Sequence, residues 1–168
     1  SSAEGLRLVD RGYRIFRQLG LVLGQAQCEA VAGEIEYLLG NNERAHDCIQ
    51  KAEAHFARLG QSLGRGQCLL LLSWIDHSEG ATERSRRLAA DARAEFDRAG
   101  YRLGMAQANA SLAHVEHRLM NFYNAERGAR EALGAFENLR NPRGQAACER
   151  LLAMIGVDTD DTERAELH

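Results

Sequence analysis

Apolar residues recur at three- and four-residue steps along 22–38, 62–78, 102–118 and 142–155, and again along 2–18, 42–58, 82–98 and 122–138. That spacing keeps one side of a 3.6-residue turn apolar, so it predicts eight helices. β-Branched alternation is absent and no strand competes. The expected class is all-α.

The pattern also repeats. Phe16, Phe56, Phe96 and Phe136 stand forty positions apart, as do Gly24, Gly64, Gly104 and Gly144, and Ile35, Ile75, Val115 and Ile155. Gly20, Gly60 and Gly100 form another column, and Ala52, Ala92 and Ala132 a further one. Columns held in register without an insertion mean one structural unit written several times. The units are 21–60, 61–100, 101–140 and a partial 141–168, with 1–20 as the second helix of a preceding unit.

Punctuation supports the helix ends. Gly20, Gly40, Gly60, Gly80 and Gly100 stand where a helix closes through a left-handed residue, while Met120 and Arg140 occupy the equivalent places. Asn41, Asn42, Thr82, Asn121 and Thr162 are expected to offer side-chain oxygens to the next helix start. Asn141 followed by Pro142 reads as a cap plus first-turn proline. The Gly24 column lies inside a first turn, where glycine costs about 1 kcal/mol relative to alanine, so it implies a close approach by a neighbour. Gly33, Ser73, Ala113 and Ala153, with Ala45, Ser85 and Ala125, mark a close crossing within each hairpin.

The order of small residues at 33, 45 and 52, with Gly40 between the helices, resembles the tetratricopeptide repeat. The period matches the longer, forty-residue variant found in cell-polarity adaptors, in rapsyn and in arrays of bacterial regulators with nucleotide-binding switch domains. The resemblance covers the whole chain and implies a right-handed α-solenoid of antiparallel helix hairpins, about eight helices. Ser1 and Ser2 fall in register with Asn41 and Asn42, and 161–165 with 41–45, so the chain is expected to be a piece of a longer array, opening and closing within second helices.

Stacked hairpins curve and expose a concave wall, which in the resembled family is lined by the first helix of each pair. Applied position by position, this gives Gln27, Gln67 and Gln107; then Leu70 and Leu71; then Glu34, Trp74 and His114; then Tyr37, His77 and His117, with Arg118 at the edge. The only tryptophan of the chain stands beside Leu70 and Leu71, where other units carry Ala, Val or Ser. An indole in an apolar depression dominates binding energy, at about 2 kcal/mol or more on truncation. Alternatively, Leu69 to Leu72 are a thick core segment and Trp74 covers a seam. The glutamines either clamp the backbone of an extended peptide, donating and accepting at once, or are a solvated face. The histidines raise the question of zinc. Three or four ligands must converge within about 2.3 Å, and only His114 and His117 are locally spaced to cooperate, so no metal or other cofactor is assigned.

Composition narrows the function class. A chain of 168 residues, 45% hydrophobic and 27% charged, suits one globular domain. A net charge of -3 argues against a nucleic-acid surface. No apolar run approaches the roughly 20 residues of a membrane span and no signal peptide opens the chain, so a cytoplasmic protein is expected. Lys51 is the sole lysine among 21 basic residues, a bias of GC-rich, often bacterial, genomes. Cys28, Cys68 and Cys148 share a column with Ala108, as small apolar packing residues do. There is no phosphate-cradling GxxxxGK[ST] loop and no GxSxG context, and the acidic residues are read as scattered over solvent faces. The expected function is therefore a non-enzymatic scaffold that holds a peptide or helical segment in the groove. The alternatives are a ligand-sensing region of a larger bacterial regulator and a self-assembly module acting through exposed array ends.

Overall fold

The computed structural model describes the backbone of residues 2–166 and the side chains of 2–160. Eight helices follow one another: α1 Ser2–Gln18, α2 Val22–Leu38, α3 Asn42–Arg58, α4 Ser62–Ser78, α5 Thr82–Arg98, α6 Arg102–Arg118, α7 Phe122–Asn138 and α8 Pro142–Glu166. No strand occurs among the described residues, and none of their helices is long and apolar enough to cross a membrane. Seven of these spans coincide with the sequence periodicity.

The eighth does not. A new helix is expected from the sequence to start at Thr162, yet α8 runs without interruption to Glu166. Asp160, not glycine, stands at the closing position, and no later helix lies against α8 among the described residues to favour a reversal, so the backbone ladder continues. The side chain of Thr162 lies outside the described residues.

Every other junction closes in one way. The residue at position 20, 40, 60, 80, 100, 120 or 140 takes a positive φ, 61° at Met120 and 51° at Arg140 included. The next amide then reaches the carbonyl five residues back at 2.8–2.9 Å, as in Leu21 to Phe16 and Asn121 to Glu116. This double-bonded closure satisfies carbonyls that the helix end would otherwise leave orphaned.

Capping departs from expectation. Asn41 and Asn121 make no side-chain cap; their amides donate instead to Glu36 (2.6 Å) and Glu116 (2.8 Å). Asn42 donates to Ser78, and Thr82 to the Gly80 carbonyl. Only Asn141 caps as expected, its Oδ1 accepting from the Gly144 amide at 2.8 Å. The reason lies five residues upstream. An acid there captures the amide at positions 41 and 121, whereas position 136 is Phe and leaves the Asn141 oxygen free.

Packing explains the glycine column. A Cβ on Gly24, Gly64, Gly104 or Gly144 would stand 2.4–2.6 Å from the ring of Phe16, Phe56, Phe96 or Phe136 respectively. Each phenylalanine near the end of one helix thus lies flat against the start of the next. The hairpin crossing is equally tight. A Cβ on Gly33 would stand 3.2 Å from the Ala45 carbonyl oxygen, and the hydroxyls of Ser73 and Ser85 meet at 3.1 Å in the core.

The stack bends because the two helix sets pack differently. Among the even-numbered helices, α2 touches α4, α4 touches α6 and α6 touches α8, while among the described residues no two of α1, α3, α5 and α7 are in contact. The even helices therefore form the inner, concave side.

Candidate functional site

Two clefts open along this inner wall. One, of about 360 Å³, lies between α2, α4 and α6 and is lined by Glu34, Tyr37, Gln67, Trp74, Tyr101 and Gln107 over an apolar floor. The other, of about 640 Å³, lies between α4, α6 and α8 and is lined by Trp74, His77, Gln107, His114, Asn141 and Arg143. Trp74 and Gln107 belong to both, forming the ridge between them. Trp74 keeps 38% of its surface exposed, whereas Leu70 and Leu71 beneath it are buried at 3% and 6%. All four leucines, Leu69 to Leu72, are core, yet the indole above them remains open to the cleft.

The remaining sequence candidates separate. Gln27 is exposed and lines neither cleft. His117 turns toward α8, its Nε2 2.6 Å from Asp158 Oδ2. Arg118 donates to the His77 carbonyl at 3.2 Å. Tyr101, Phe136, Asn141 and Arg143 also line the clefts, although no groove column contains them. They sit at or beside helix junctions, Tyr101 and Asn141 at the repeat position of Leu21 and Gln61, whereas the groove columns run only along helix interiors. A column drawn through the residue before each inner helix would have found two of the four.

Electrostatics differ between the clefts. The larger one has no acidic residue in its lining, and Arg143, His77 and His114 are its ionisable groups. Burial, with His77, Arg150 and His117 nearby, pushes the His114 pKa down to about 4. Burial, then Arg118, lowers that of His77, whose Nδ1 is buried without a hydrogen-bond partner. The two rings lie edge to face, 6.4 Å between centroids. Both are held neutral near pH 7. In the smaller cleft the one charged residue is Glu34, and desolvation raises its pKa. Among the described residues no group of three His, Cys, Asp or Glu side chains is placed to hold a metal ion.

The reading of acids as uniformly solvent-facing is corrected. Asp76 is 0% exposed and held by two hydrogen bonds from Arg84, Glu95 is 4% exposed beside Arg65 and Arg98, and Glu36 is 8% exposed. Periodicity of apolar residues is blind to an acid buried with its partner. The cysteines are free and unpaired, and burial pushes the Cys68 thiol up to about 12, as suits a packing residue.

No family model and no curated protein matches the chain. Solved structures do. Aspartyl phosphate phosphatase F from Bacillus subtilis matches at a TM-score of 0.86 and 16% identity, over 97% of this chain and 43% of that one. A Rap protein complexed with competence and sporulation factor matches at 0.77 and 14% identity, over 98% and 46%. TPR-like repeats from Podosopora anserina match at 0.52 and 13%, over 95% and 89%. The chain thus spans less than half the length of the first two. Likeness at such identities speaks to fold, and with the forty-residue period and the curved stack it identifies the chain as a tetratricopeptide-type helical repeat.

Proposed function

We propose that the chain is a non-catalytic interaction module whose concave wall holds a peptide or short helical segment, from a partner protein or from elsewhere in its own polypeptide, in the bacterial cytoplasm. The observation that carries this reading is Trp74: a large apolar ring, partly open, on the ridge between two clefts and over a floor of buried leucine. Such anchors dominate binding energy because neighbouring side chains exclude water from them. Gln67 and Gln107 flank it with amides that can both donate to and accept from a peptide backbone. That a Rap protein was solved with a bound factor supports the use of this architecture for recognition.

The test is selection of short peptides from a display library on the intact chain, followed by calorimetric titration. Trp74→Ala should weaken the selected peptides by about 2 kcal/mol or more, and Gln67→Ala by less. Unchanged affinity in both variants would remove the groove from the account.

A second reading, a sensor region of a larger regulator, draws on the cleft of about 640 Å³, within the range of small-molecule sites. Melting shifts with small metabolites but with no peptide would favour it. Self-assembly draws on α1, which buries no residue and exposes Leu8 and Ile15; light scattering across protein concentration tests it.

A further inference from the structure

Any occupant of the smaller cleft must come to terms with Glu34. Among the described residues this carboxylate has neither an ion pair nor a side-chain hydrogen bond. Glu34 is solvent-exposed at the cleft wall, whereas the buried acids Glu95 and Asp76 are held by Arg65 and Arg84. Around Glu34 the cleft offers three aromatic side chains with polar handles, Tyr37, Trp74 and Tyr101, and the amides of Gln67 and Gln107.

An apolar side chain seated there would strip water from Glu34 and return nothing for it. An anion would be repelled. A cation satisfies the carboxylate and gains from aromatic faces at once. Between the two protein cations the lining favours guanidinium, which is planar, less strongly hydrated than ammonium, stacks on aromatic rings and carries five donors. Those donors match one carboxylate in bidentate fashion and leave hydrogens for the glutamine carbonyls. The adjoining cleft, with Arg143 and two histidines and no acid, disfavours the same group, so the choice of cleft is set by charge.

We propose that the cleft between α2, α4 and α6 is a receptor for an arginine side chain, its guanidinium among Tyr37, Trp74 and Tyr101 with Glu34 as counter-charge. This rests on the groove reading only in taking the arginine to be carried by a bound peptide.

The experiment uses the intact chain and the intrinsic emission of Trp74, its sole tryptophan. N-acetyl-arginine amide is titrated beside N-acetyl-citrulline amide, which has the same shape without the charge, and N-acetyl-lysine amide. A saturable change with the arginine compound is expected, about tenfold weaker with citrulline and intermediate with lysine, since hydrogen bonds to a charged partner are the strong ones. Glu34→Gln should bring arginine down to the citrulline level while the far-ultraviolet circular dichroism stays helical. Equal response to arginine and citrulline, no saturable response to arginine, or indifference to Glu34→Gln overturns the proposal. Peptides selected on the groove are then remade with citrulline for arginine. If they depend on Trp74 but neither on arginine nor on Glu34, the arginine receptor falls and the groove reading stands. If arginine amide binds through Glu34 and no peptide does, the receptor stands and the peptide reading falls.

Discussion

A left-handed backbone step strains an L residue by about 1–2 kcal/mol, and glycine escapes that strain. Met120 and Arg140 accept it, at φ 61° and 51°, where Gly20 through Gly100 do not have to. Both side chains are exposed, so little packing offsets the strain. Met120→Gly and Arg140→Gly should each stabilise the chain by about 0.5–1 kcal/mol, after the greater unfolded-state freedom of glycine is allowed for. Urea midpoints check this, and a loss of stability in both would mean that the side chains hold contacts of their own. The same columns that make these two positions conspicuous as departures also locate the phenylalanine rings, but not that each ring occupies the space a Cβ would take on the following glycine.

In α2, α4 and α6 the last turn carries an acid, Glu36, Asp76 or Glu116, that reaches to the start of the following helix. These contacts join consecutive helices by charge as well as by burial, and they displace the side-chain caps expected at Asn41 and Asn121. Asp76 is the extreme case, fully buried and held by Arg84. Removing one member of a buried pair leaves an uncompensated charge, though Arg84 remains half in water. Arg84→Met should therefore cost about 2–3 kcal/mol, the lower end for such pairs, and a simultaneous Asp76→Leu should recover much of it. Denaturant unfolding of the single and double variants measures the coupling. Acids at 36, 76 and 116 do form a column in the sequence; their burial is hidden there because only apolar positions report the core in a periodicity.

At the scale of the whole array, contact among inner helices and its absence among the described outer ones gathers His77, His114, Arg118, Arg143 and Arg150 around the larger cleft. With His114 lowered to about 4 from an ordinary 6.5, the unfolded chain takes up the proton first on acidification. Stability from this residue is then whole above 6.5, falls as pH drops toward 4, and stops changing below that. Urea midpoints followed across this interval should decline, and His114→Gln should flatten the decline. An identical slope in the variant would assign the acid sensitivity to His77, whose pKa is also lowered, instead.

Helix number, the seven regular junctions and the forty-residue unit were already determined by local information: apolar spacing, left-handed closures and recurring small residues act within a turn or between neighbours in sequence. Tyr37, Trp74, Gln67 and Gln107 could be placed on one wall for the same reason, since a repeat carries each position to an equivalent place. Which of those positions stay open was decided by packing across units. Leu70 and Leu71 sank into the core, His117 turned to Asp158, and Tyr101 and Arg143 entered the clefts from the junctions. Arg65 meets Glu95 thirty positions away and His117 meets Asp158 forty-one away, and a period read from apolar spacing carries no record of which polar side chains pair across helices.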